Sequence, residues 1–193
     1  MLKRRRLKKT DYRQRLKLLK SGQIRLVVRR RHNNIHIQFI KYEFNGDKTL
    51  VEVMSENIRK YGWKAHGGSL PAAYLTGLLA GRKGLDTGVD ICVVDIGLHA
   101  AGANILYAAA KGVADAGVHV PLGFEISDDR MKGRSISEYA KLLKKSNERY
   151  KKQFSYYLRT GLDPENIMQH FEEVKAAIIK DFPGTGKRKV EAE

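Results

Sequence analysis

Cysteine is almost missing from this 193-residue chain, where Cys92 stands alone. A single thiol excludes an internal disulfide framework and an all-cysteine metal site, and such usage suits a reducing compartment. Long apolar runs are missing too, since none approaches the roughly 20 residues that cross a bilayer as a helix. The basic N-terminus leads into Asp11 and further cations, not into the apolar core of a leader peptide. These absences read as a cytoplasmic chain with no membrane partner. Acid is scarce in one place above all. Residues 1–31 hold 14 Lys/Arg against Asp11 alone, while residues 32–193 hold the other 23 against 20 acids. The net charge of +16 is therefore +13 in the first sixth of the chain and +3 in the rest. Charge of that density repels itself in water, so its expected partner is a polyanion.

What is present supports one sizeable core, because 42% of residues are hydrophobic. The like-charge run from Met1 to Lys9 is expected to be unstructured by itself. Thr10 or Asp11 caps a short helix to about Lys20, and Gly22 stops it. Alternation then predicts strands. Ile24, Leu26 and Val28 share one face with Arg25 and Arg29 on the other, a turn follows at Arg31-His32-Asn33-Asn34, and Ile35, Ile37 and Phe39 continue the apolar face. A third strand at about Thr49–Met54 follows the Asn45-Gly46-Asp47 turn. The expectation is an antiparallel meander with one wet, basic face. Pro71 opens a helix to about Arg82, with Ala73, Gly77 and Gly81 on one side, spaced for close approach to the sheet. The apolar run Val89–Ile96 reads as a central strand buried on both faces. A helix over Asn104–Ala116 and a strand over Val118–Phe124 complete a β-α-β unit. Beyond Glu125 the pattern is helical: Tyr139, Leu143, Tyr150, Phe154 and Tyr157 fall near helical spacing, with a break around Lys145–Asn147. Asp163 and Pro164 start a last helix with Ile167, Phe171, Val174 and Ile178 as its buried stripe. The fold class is thus α/β, a mixed sheet covered by helices. Its expected divisions are a basic arm with a short helix over 1–22, an α/β core over 23–133, a helical extension over 134–183 and a loose tail over 184–193.

Catalytic motifs fail one by one. Gly67-Gly68-Ser69-Leu70-Pro71 lacks the second glycine of a nucleophile elbow. Around Gly186-Lys187 the phosphate-loop positions hold Asp181 and Arg188. Asp90 and Asp95 lie five apart on a strand and so face opposite sides, which does not make a catalytic pair. The six histidines are dispersed, and His32 and His36 lack nearby ligand partners, so no metal or other cofactor is expected. Cys92 reads as a small core residue. Gly97, Gly102 and the helix after them offer a phosphate contact only. The basic segment survives. Arginine forks pair bidentately with phosphate and stack on bases, while Lys3, Lys8 and Lys9 act as point charges. Tyr12 and Trp63 are open to either reading, stacking on unpaired bases or a structural role.

Three stretches carry a resemblance. Thr10-Asp11-Tyr12-Arg13-Gln14-Arg15-Leu16-Lys17-Leu18-Leu19-Lys20-Ser21-Gly22 with the Arg-Leu-Val-Val-Arg strand at 25–29 is one. Gly62-Trp63-Lys64 with Pro71-Ala72-Ala73-Tyr74-Leu75-Thr76-Gly77-Leu78-Leu79-Ala80-Gly81 is the second. Asp95-Ile96-Gly97-Leu98-His99 with Ala114-Asp115-Ala116-Gly117 is the third. Together they resemble the large-subunit ribosomal protein L18 family, the universal 5S rRNA-binding protein, in its archaeal form. The resemblance spans most of residues 3–145, and the C-terminal helices are similar to those of archaeal and eukaryotic members. It implies a non-enzymatic protein of the central protuberance that holds 5S rRNA against large-subunit rRNA beside neighbouring ribosomal proteins. Carried over by position, Lys3, Arg4, Arg5, Arg6, Lys8, Lys9, Tyr12, Arg13, Arg15, Lys17 and Lys20 are expected at the RNA. So are Arg25, Arg29, Arg30, Arg31 and His32. Trp63, Lys64, Gly67 and Gly68 match a glycine-rich loop that approaches RNA in the family. Residues 100–104 are neutral where relatives carry Lys or Arg. The alternative readings are a general RNA chaperone and an RNA-processing factor.

Overall fold

A computed structural model describes residues 3–99, 104–123 and 125–183. The expectations for residues 100–103, for Phe124 and for the tail from residue 184 lie outside these. The charged N-terminus forms a four-residue helical turn, α1 (Lys3–Arg6). This stretch was expected to be unstructured, but Arg4 Nε donates to Thr10 Oγ1 at 2.9 Å and backbone bonds close the turn back from Leu7, Lys8 and Lys9. Helix α2 (Tyr12–Lys20) follows, with the Asp11 carboxylate accepting from the Arg13 and Gln14 amides. Those amides would otherwise lack helical partners.

Three strands make the expected meander: β1 (Ile24–Arg30), β2 (Ile35–Glu43) and β3 (Gly46–Met54). Glu43 pairs with Gly46, so the tight turn is Phe44-Asn45, and Gly46 and Asp47 already belong to β3. One face carries Leu26, Val28, Ile35, Ile37, Phe39, Val51 and Val53, all buried. Packed on it is α3 (Leu70–Asp86), capped by Ser69, whose side chain accepts from the Ala72 amide. Among the described residues the sheet has four strands in the order β3-β2-β1-β4 and is mixed, because β4 (Cys92–Asp95) joins β1 in parallel.

Three details depart from expectation. The run Val89–Ile96 yields only the short β4, at the sheet edge instead of its centre, with Val93 and Val94 half-buried. Val118–Gly123 forms no strand: a single parallel bridge pairs His119 with Ile91, and Pro121 has no amide to donate further along. Gly77 and Gly81 of α3 face another helix and not the sheet. A Cβ on Gly77 would fall 2.0 Å from the Ala109 carbonyl oxygen of α4 (Asn104–Asp115), and one on Gly112 would fall 2.2 Å from that of Tyr74. The two backbones therefore touch, and dispersion over that close contact offsets what glycine costs a helix.

The remaining chain is helical: α5 (Asp128–Met131), α6 (Arg134–Leu143), α7 (Asn147–Gln153), α8 (Ser155–Thr160) and α9 (Ile167–Asp181). The break between α6 and α7 falls where spacing placed it. Ile167, Phe171, Val174 and Ile178 of α9 are buried as expected, with Phe171 tilted against Tyr74 of α3 at 5.5 Å between ring centroids. No described helix is long and apolar enough to cross a membrane.

Candidate nucleic-acid interface

Strand alternation places Arg25, Val27 and Arg29 of β1 on the sheet face opposite α3. That face was expected to be wet, and for Arg25 it is not. Arg25 is only 2% exposed. Its guanidinium spans the sheet, with Nη2 lying 2.8 Å from Asp47 Oδ2 on β3 and Nη1 3.5 Å from Asp95 Oδ2 on β4. Each carboxylate holds a second arginine. Asp47 Oδ2 also accepts from Arg15 of α2 at 2.8 Å. Asp95 Oδ1 accepts from Arg29 Nη2 at 2.8 Å and from the Gly97 amide at 2.9 Å, while the Asp95 carbonyl accepts from Arg29 Nη1 at 2.6 Å. The order Arg15, Asp47, Arg25, Asp95, Arg29 alternates in sign across three strands and a helix. Burial alone would raise the Asp47 pKa, but hydrogen bonds from Arg25 and Arg15 and their charges outweigh it and hold the group below its ordinary 3.8.

A cleft of about 540 Å³ opens between α1–α2 and the segment after β4. Arg4, Lys9, Arg15 and Arg29 are the cations that line it, beside Asp11 and Asp95, and Tyr12, Leu18, Ile96 and Leu98 give it apolar walls. Gly97 is required there twice over: its φ is +67°, and a Cβ would sit 3.2 Å from Arg29 Cζ.

The other expected residues separate into two groups. Lys3, Arg4, Arg5, Arg6, Lys8, Lys9, Arg13, Lys17, Lys20, Arg30, Arg31 and His32 are exposed. Among the described residues none of these twelve enters an ion pair. Several cations further along are neutralised internally instead: Lys111 by Asp115, Lys132 by Glu172, Arg134 by Asp129 and Glu138, and Lys144 by Glu165.

The glycine-rich loop is set into the protein. Trp63 is 3% exposed and stacks on His170 of α9 at 5.2 Å between centroids, and the Lys64 amide donates to His170 Nε2 at 3.1 Å. The Lys64 side chain is exposed. Gly67 and Gly68 are buried under the β1–β2 turn, where a Cβ on Gly67 would lie 2.9 Å from the Asn33 carbonyl oxygen. Their role in the fold is to let two backbones approach and so to brace the turn that displays Arg31 and His32. Asp47 and Asp95 were not among the expected site residues. The available signal was acid on two other strands of the sheet, but it lies 22 and 70 positions along the chain from Arg25.

Cys92 of β4 is buried, and burial pushes its thiol pKa up to about 12, so it stays a neutral core group. The described residues hold no group of three or more His, Cys, Asp or Glu able to bind a metal ion. Residues 1–90 match the family model described as ribosomal large subunit proteins 60S L5 and 50S L18, a span that contains α1, α2, the meander, Asp47 and α3. Over those residues the chain is similar to that family of large-subunit ribosomal proteins.

Proposed function

We propose that this chain is a large-subunit ribosomal protein that binds 5S rRNA and helps attach it to large-subunit rRNA in the central protuberance, beside neighbouring ribosomal proteins there. In this reading, which the family match over residues 1–90 supports, the chain is a structural, non-enzymatic component of the subunit, and its work is recognition and assembly. The observation that carries the reading is the concentration of cations: residues 1–31 hold 14 Lys/Arg against Asp11 alone, and twelve exposed basic residues in and just after that stretch enter no ion pair among the described residues. Unpaired cations release counterions from a polyanion, and each phosphate neutralised steepens the fall of log affinity with log salt by about 0.7 to 0.9. Lys3 to Lys20, Arg30, Arg31 and His32 supply this term in the proposed complex. Arg15 and Arg29 are fixed by aspartates and supply shape selection, and Arg25 supports both from the interior. Lys64 extends the contact from the braced loop.

The test is titration of purified protein into 5S rRNA and into a structured RNA of equal length. Tighter binding to 5S rRNA by roughly tenfold or more supports the proposal. Equal affinities would favour a general RNA chaperone, and turnover of labelled RNA would favour a processing factor.

A further inference from the structure

Arg15 and Arg29 stand on opposite walls of the 540 Å³ cleft, and neither is free to choose its position. Asp47 holds the first and Asp95 the second, while Arg25 holds both aspartates. A chain of four ion contacts therefore fixes the distance between the two cationic walls. Free surface arginines would sample many rotamers and lose that entropy on binding; these lose less because the carboxylates have already ordered them.

A concave cleft is not what an RNA double helix needs, since A-form RNA offers a wide, shallow minor groove and a major groove too narrow for side chains. A single unpaired nucleotide does need one: phosphate for the arginines, and a base for aromatic and aliphatic walls. Tyr12, Leu18, Ile96 and Leu98 are those walls, and Leu98 is 57% exposed toward whatever fills the space. We propose that this cleft takes one unpaired nucleotide of the bound RNA, and that the anionic Asp47 and Asp95 are its positioning residues. The inference rests on the RNA-binding reading above and adds the ligand and the spacing device.

Simple electrostatics predicts the opposite. Asp47→Asn and Asp95→Asn each raise the net charge by one, so attraction to a polyanion alone requires tighter binding to every RNA. Positioning requires weaker binding to 5S rRNA by about tenfold, the worth of one charge-assisted hydrogen bond, with little change for a fully paired duplex. Arg15→Lys keeps the charge, lies at a half-exposed site and removes the fork, and it is expected to weaken 5S rRNA binding similarly. Tyr12→Ala is expected to weaken it with an unchanged salt slope, and to restore chemical reactivity at one unpaired base that the parent protein shields. Thermal melts identify any variant that has lost its fold; Arg15→Lys and Tyr12→Ala then carry the decision. Variants that keep the parent's 5S rRNA affinity overturn this inference and leave the functional reading standing. A parent protein without preference for 5S rRNA overturns the functional reading itself.

Discussion

Arg25, whose side chain is only 2% exposed, places its guanidinium 2.8 Å from the Asp47 carboxylate, on a strand two places across the sheet. Because Asp47 also holds Arg15, the interior of the sheet is coupled to the helix that displays the unpaired cations. Removing the carboxylate leaves Arg25 with Asp95 alone at 3.5 Å. At neutral pH Asp47→Asn is expected to cost roughly 1–3 kcal/mol, the penalty for an under-satisfied buried polar group, read as a lower denaturant midpoint at unchanged slope.

The same carboxylate gives a pH dependence whose sign is fixed. Its folded pKa lies below the ordinary 3.8, so its stabilisation is whole above that value and is lost as pH falls through the folded pKa. Denaturant midpoints measured from pH 5 down to pH 2 are expected to fall less steeply for Asp47→Asn than for the parent. Parallel curves would mean the ion pair does not form.

A second pH window comes from α9. Burial is the main cause that lowers the His170 pKa from 6.5, aided by Lys64 and opposed by Glu173; His66 is lowered by burial and by Arg30 and Arg59. Both rings therefore take up a proton at lower pH in the fold than in the unfolded chain, which protonates first as pH drops through 6.5. Stability is therefore expected to decline below that pH, and His170→Gln is expected to remove part of the decline.

Reversal of Arg4, Arg5 and Arg6 to Glu is expected to weaken binding to all RNAs and to reduce the salt slope by about one for each phosphate no longer neutralised. Fold stability is expected to stay close to the parent's, because these side chains are exposed and enter no ion pair, and the Arg4 hydrogen bond to Thr10 lies in water's reach. A salt slope equal to the parent's would remove α1 from the interface.

Gly77→Ala tests the packing of α3 on α4. Its Cβ would meet the Ala109 carbonyl oxygen at 2.0 Å, so the two helices must separate, at a cost of about 3 kcal/mol or more. Leu78→Asp, at a position 1% exposed, buries an unpaired charge and is expected to prevent folding. Thermal melts decide both.

The meander, the Asp11 cap, the α6–α7 break and the α9 stripe were legible because each rests on a local period or a single capping residue. What escaped was non-local. Alternation says only that Arg25 faces away from the apolar side; its burial depends on acids brought together from β3 and β4. The Gly77 and Gly81 face announces close approach, but the expected neighbour, the sheet, is wrong; the alanine-rich α4 was the hint that the neighbour is a helix. The edge position of β4 and the missing strand after Val118 depend on pairing order and on Pro121, which hydrophobicity alone does not weigh. In the site, the exposed cations were visible as charge density, whereas the buried settings of Trp63, Gly67 and Gly68 required α9 and the β1–β2 turn to be in place.

Crosslinking the protein to 5S rRNA, followed by mass spectrometry of the linked peptides, tests the central claim most directly. The account predicts links concentrated on residues 3–20 and 29–32, with Tyr12 among them. Links confined to α6–α9, with the N-terminal cations unmodified, would contradict it.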